Sequence, residues 1–338
     1  MEEAHIGLNK MDEVNEEKYL GDIISHDGKN MKNILARANR GVGVTNQIIT
    51  ILDEICYGPY HFEVAVMLRN ALLISSMLCN SEAWYNVTHE ERNKLEQVDE
   101  ALLRRILECP STTPKEMLYL ELNCLPIRFI IIGRRVNFLS CILREDKSSL
   151  IFRFLQTQLK KPNKNDWGQT VTRDLELLGI DMSDITKKSA EAFKKVVNEK
   201  VKKAALKYLN EEKSKHTKVL HIVHNEMKMQ EYFPPNVITI QEAKFLFFIR
   251  CRMLEVRNNF SGSYSDLKCP LCRLCEDSQK HLLECAKLAE EGELVTKIPE
   301  YNDVFSGNLM QKVEVARTII AKYKMRRKLL KEKKEGKK

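Results

Sequence analysis

The chain has 338 residues, 43% of them hydrophobic and 30% charged, with a net charge of +8 at pH 7. This length and apolar content allow about two domains of roughly 150 residues, each with its own core, and exclude disorder throughout. Uncharged runs such as Asn70–Ser81 fall well short of the ~20 residues that cross a bilayer, and the acidic start MEEAHIGLNK has no apolar signal segment. An intracellular protein of nucleus or cytoplasm, with no membrane partner, is expected.

The positive charge is unevenly placed. Lys322–Lys338 holds ten basic and two acidic residues, leaving 45 of each sign in residues 1–321. A second excess, eleven lysines against four glutamates, lies at Lys187–Lys218, and residues 1–17 offset part of it with six acids and one lysine. Basic runs attract phosphate backbones or acidic partners, although they also serve as solvated helix faces. Of the ten cysteines, Cys56, Cys79, Cys109, Cys124 and Cys141 are scattered singly, and each is expected to act as a small core hydrophobe.

In chain order, KYLGDIIS (Lys18–Ser25) reads as a short strand entering a His-Asp-Gly turn. A helical pattern begins at Met31. Leu95, Val98, Leu102, Leu103 and Ile106 form one face of an amphipathic helix that Pro110 closes. Further helices are predicted over about 60–79, 115–123, 127–144 and 148–160, then 169–178, 187–212, 214–231 and 241–256. Lys160–Gly168 (KKPNKNDWG) is the clearest linker, and Pro234-Pro235 separates the last two helices. The loop Asn258–Asp266 leads into a cysteine cluster, and no fixed-period repeat is present. The fold class is all-α, with a short strand or hairpin near the N-terminus.

The cluster CPLCRLCEDSQKHLLEC reads as Cys269-x2-Cys272-x8-His281-x3-Cys285. The first pair forms a turn aiming two thiolates at one point, and His281 and Cys285 lie four apart on a helix face, with Asp277 placed as its N-cap. Cys272-x2-Cys275-x5-His281 is also a legal set, but its five-residue gap makes a tighter reversal and Cys275 would displace Cys269 or Cys285. Three soft thiolates and an imidazole favour one structural Zn²⁺, because a closed Cys₃His set leaves no position for water. His216, His221 and His224 suggest a catalytic metal site only weakly, since no carboxylate in the sequence pattern completes one.

With these residues assembled, KYLGDIISHDGKN followed by Ile34, Arg37 and Gly41 resembles the segment after the polymerase palm in non-LTR, LINE-type retrotransposon reverse transcriptases. NSEAWYNVT (Asn80–Thr88), KLEQVDEALLRRIL (Lys94–Leu107), Ser111–Leu143, NDWGQTVTRDLELLGI (Asn165–Ile180) and the Cys269–Cys285 cluster are similar to successive landmarks of the same proteins. The resemblance covers most of residues 18–290 and rests on the order of the blocks. It implies the end of a palm-like segment (1–30), a thumb-like helical bundle (31–160), a second helical connector (161–257), a small CCHC zinc knuckle (258–290) and a helix with a basic tail (291–338). It implies that Arg37 and Arg40, and a second pair Arg134 and Arg135, face nucleic acid. The knuckle ligands carry over directly, and the position of Cys275 is commonly not cysteine in similar sequences.

Polymerase chemistry needs clustered carboxylates holding paired metal ions. The seventeen residues before Lys18 contain no such pair, and no Asp-Asp dipeptide occurs anywhere. No catalytic residue is therefore expected. The expected role is grip on RNA or a template–primer duplex, with Arg326, Arg327 and Lys328 of the basic tail as further contacts and the catalytic part of a reverse transcriptase as a candidate partner. No small-molecule substrate is expected. The alternative is a zinc-stapled helical module for protein contacts.

Overall fold

The computed structural model describes residues 5–6, 9–10, 14–19, 21–55, 58, 60–161, 163, 166–233, 238–290 and 298–335. Two short antiparallel hairpins come first: β1 (His5–Ile6) with β2 (Asn9–Lys10), and β3 (Glu16–Tyr19) with β4 (Asp22–Ser25). Everything after them is helix and loop. The helices are α1 (Met31–Ile55), α2 (His61–Leu68), α3 (Ser75–Met77), α4 (His89–Leu107), α5 (Lys115–Glu121), α6 (Ile127–Ile142) and α7 (Leu150–Lys160). They continue with α8 (Trp167–Leu178), α9 (Ala190–Lys213), α10 (Ile240–Arg250), α11 (Gln279–Glu284), α12 (Ala286–Glu290), α13 (Asp303–Ser306) and α14 (Leu309–Glu335). The all-α expectation with an N-terminal hairpin therefore holds. No helix among the described residues is long and apolar enough to cross a membrane.

The chain divides into two compact units interleaved along the sequence, in place of consecutive domains. One comprises 1–48, 68–101 and 125–204, the other 49–67, 102–124 and 205–338. The Lys160–Gly168 segment is thus a loop within the first unit, where it joins α7 to α8, and Asp166 caps α8 by accepting from Gln169 N at 2.6 Å.

In the first unit, Lys18–Ser25 is not one strand, because Gly21 at φ +89° turns the chain between β3 and β4. Glycine meets a different constraint in α1, where a Cβ on Gly41 would lie 2.5 Å from Met77 Sδ, so α1 passes close to α3 only without a side chain there. The interior charge is paired. Arg69, in a π-helical turn (Arg69–Ile74), grips Asp99 of α4 with two 2.6 Å bonds and donates to Leu125 O at 2.9 Å. Both side chains are fully buried. Of the singly placed cysteines, Cys109 and Cys124 are buried as expected, whereas Cys79 and Cys141 are exposed and Cys56 lies outside the described residues.

In the second unit, residues 214–231 are a run of turns and loop, not a helix. Thr217, Val219, Ile222 and Val223 are β-branched and His216, His221 and His224 are weak helix formers. Side chains meanwhile take the main-chain acceptors: Lys213 Nζ donates to Ile222 O, and Asn210 Nδ2 donates to His224 O at 3.0 Å. The helix predicted over 241–256 is α10, which ends at Arg250, and its start is a capping box between Thr239 and Glu242. The C-terminal segment is one long helix, α14, whose buried stripe Val313, Ala316, Ile319, Tyr323 and Arg326 lies at spacings of three and four. The basic segment is therefore helical to Glu335, held by that face rather than by Leu329 and Leu330.

Glu121 is the buried charge centre of this unit. It accepts from Arg250 Nη2 at 3.0 Å and from the Tyr232 hydroxyl, and His224 Nε2 lies 3.0 Å from its Oε1. His224 therefore has a carboxylate partner that the sequence pattern did not reveal, in a closed interior network. Burial works against ionisation of Glu121, but the Arg250 charge and the His224 hydrogen bond overcome it and hold the carboxyl down at about 2.

Two outcomes are expected. Asp99→Asn, which leaves the Arg69 charge without its counter-ion, should cost about 3–5 kcal/mol in urea unfolding. Because the folded pKa of Glu121 lies below the usual 4.5, its stabilisation is complete above pH 4.5 and drains as pH falls toward 2. The urea midpoint measured across that window should decline, and Glu121→Gln should flatten that decline.

Candidate metal centre

The Cys269–Cys285 segment folds as a small hairpin followed by a short helix. Lys268 and Glu276 form a β-bridge, Cys269 N donates to Cys275 O at 2.8 Å, and Asp277 N donates to Leu267 O at 2.8 Å. Between these pairs the chain reverses sharply, with Arg273 at φ +61°. The reversal aims backbone N–H groups at the sulfurs: those of Cys272 and Leu271 at Cys269, and those of Cys275 and Leu274 at Cys272.

The helix α11 supplies the other pair. Its N-cap is Ser278, whose hydroxyl accepts from His281 N at 3.0 Å, not Asp277. Cys285 stands one residue past the helix end in extended conformation, so the two ligands do not share a continuous helix face. All four ligand atoms nonetheless converge within 4.8 Å of one another, with Cys269 and Cys285 sulfurs 4.0 Å apart and Cys272 Sγ 3.3 Å from His281 Nε2. Metal–ligand bonds of about 2.0–2.3 Å place tetrahedral ligands roughly 3.5–3.8 Å apart, so the set fits a four-coordinate ion. Cys275 is exposed and outside the cluster, and it serves the knuckle through its backbone.

Burial pushes the Cys269 thiol up to about 11. Burial also opposes ionisation of Cys272, but the N–H groups of Cys275 and Leu274 and the hydrogen bond to His281 bring it down to about 6. A thiolate adjoining a buried thiol pair is chemistry suited to a cation.

Asp277 has a different task from capping. It is fully buried, accepting from Arg257 N at 2.9 Å and from Arg326 Nη2 of α14 at 2.5 Å, while Arg326 Nη1 donates to Glu255 O at 2.8 Å. Lys322 Nζ adds a 2.6 Å bond to Leu283 O. The knuckle is thereby fastened to α14. Sequence reading missed this link because Asp277 and Arg326 are far apart in the chain.

Most of the arginines expected to face nucleic acid are turned into the protein. Arg37 is buried with Asp22 at 2.8 Å, and Arg135 is buried with Asp174 at 2.6 Å. Arg134 is half-buried, donating to Leu78 O and to Ser81 Oγ at 3.4 Å, and burial lowers its pKa. Arg326 is occupied as described. Only Arg40, Arg327 and Lys328 of the expected contacts are exposed.

No protein-family model matches the chain, and neither does any curated protein or solved structure.

A metal ion held by the four ligands predicts that Cys285→Ser lowers the thermal midpoint and abolishes its sensitivity to a chelator. Cys275→Ser should change neither, and thermal unfolding with and without chelator separates the two variants.

Proposed function

We propose that the chain is a nucleic-acid-gripping module, equivalent to the post-palm thumb, connector and zinc knuckle of a non-LTR retrotransposon reverse transcriptase, that does not itself extend a primer. Zn²⁺ is the ion assigned to the knuckle, since three thiolates and an imidazole in a closed tetrahedral set suit it. The residues that would hold it are Cys269, Cys272, His281 and Cys285, and its chemistry there would be structural.

One observation carries the nucleic-acid reading. The exposed residues Lys324, Arg327, Lys328 and Lys331 recur at spacings of three, one and three on α14, forming a single basic face beside the knuckle. Lys333 reaches Pro270 O of the knuckle at 3.4 Å, and the knuckle itself exposes Lys268, Arg273 and Lys280. Such a surface suits phosphate backbones, with the charge row contributing attraction and the knuckle a rigid support. The absence of an Asp-Asp dipeptide fits a role without polymerase chemistry.

A second reading, a protein-interaction module, is favoured by one feature of the first unit. An apolar cleft of about 500 Å³ is lined by Phe138, Ile151, Phe154, Leu155 and Trp167, with Phe154 62% exposed.

Fluorescence anisotropy with a labelled RNA 20-mer and an RNA–DNA duplex, run from 50 to 200 mM salt, tests the first reading. Affinity should fall steeply with salt, and changing Lys324, Arg327, Lys328 and Lys331 together to Gln should weaken binding uniformly across sequences and flatten the salt slope. No binding at 50 mM salt, or salt-independent binding, would contradict it.

A further inference from the structure

The second unit holds a polar cleft of about 470 Å³ that neither the metal centre nor the basic face of α14 uses. Lys218, Arg252, Lys280, Tyr301, Thr217 and Ser261 line it, and no aspartate or glutamate does.

The cations are poorly neutralised. Lys218 is half-buried with its ammonium 4.4 Å above the Phe260 ring, and burial lowers its pKa. Among the described residues neither Lys218 nor Arg252 lies within ion-pair distance of a carboxylate, and Lys280 has only a 3.8 Å pair with Glu284. A positive field is also felt at neighbouring His221, which burial and then the charges of Arg252, Arg250 and Lys213 depress to about 4. Half-buried cations without partners cost free energy that an anion would offset.

Tyr301 supplies direction. Its oxygen accepts from Gln279 Nε2 at 2.8 Å and from Arg252. With both lone pairs occupied, the phenolic proton remains to donate. Three cations, a committed O–H donor and further hydroxyls suit a group with several acceptor oxygens and at least one full negative charge. The volume is ample for one nucleotide unit.

We propose that this cleft is a phosphate-binding site that takes one phosphodiester of a single-stranded polynucleotide, with Lys218, Arg252 and Lys280 supplying charge and Tyr301 a hydrogen bond. The polynucleotide source rests on the proposed function; the affinity for phosphate does not.

The test compares wild-type protein with a Lys218→Gln, Arg252→Gln variant in two assays. In the first, inorganic phosphate is set against chloride at equal ionic strength and the thermal midpoint is read. Phosphate should raise the wild-type midpoint and leave the variant's unchanged. In the second, anisotropy with the RNA 20-mer should show an affinity loss of about tenfold and a salt slope smaller by about 1.4, the value for two single-strand contacts. A wild-type midpoint indifferent to phosphate, together with a variant that binds RNA with the wild-type slope, overturns the proposal. A phosphate effect lost in the variant while the wild type binds no RNA overturns the polynucleotide source and the proposed function with it, and upholds the phosphate site. Should the double variant not fold, Lys218→Gln alone should lower the slope by about 0.7, and an unchanged slope overturns the proposal.

Discussion

Three sulfurs and an imidazole drawn within 4.8 Å of one another form an arrangement that only a cation completes. Ionised thiolates so close would repel, and protonated ones would leave the N–H groups of the reversal aimed at poor acceptors. The hairpin and the six-residue α11 that carry them bury little of their own beyond Leu271, Leu282 and Leu283. A segment of this size lacks the apolar area to fix its own geometry, whereas structural zinc sites contribute about 10–16 kcal/mol. The ion would therefore order the segment, and the Asp277–Arg326 pair carries that order to α14. The basic face of α14 is rigid only as far as this chain of contacts holds.

The ligand set was legible because metal-binding spacing is local: two short pairs and one reversal, all within seventeen residues. The helices were legible for a similar reason. Residues such as Leu95, Val98, Leu102, Leu103 and Ile106 declare a face by their spacing, and all five are buried. What failed was decided by partners elsewhere. The loop at 214–231 is set by side chains of α9 and by Glu121, to whose carbonyl Gln230 N donates at 3.0 Å. The helix start at Ser278 rather than Asp277 reflects the distant Arg326.

The arginines make the same point in terms of charge. Arg69, Arg135 and Arg326 find their acids 30, 39 and 49 residues away, distances over which a sequence pattern carries no signal. On an amphipathic helix a buried arginine and a solvent-facing one occupy positions that composition cannot separate. Once the stripe of α14 is known, Arg326 falls inside it and Arg327 and Lys328 outside it, so adjacent residues of like charge take opposite roles. The interleaving of the two units has a similar origin, because the long helices declare their faces but not which part of the chain will cover them.

The account as a whole stands on the ion. Elemental analysis of the purified full-length chain, expressed without added metal and exhaustively exchanged into metal-free buffer, measures it directly. One zinc per chain is the result predicted, and protein that is folded, with a native thermal transition, and free of bound metal would contradict it.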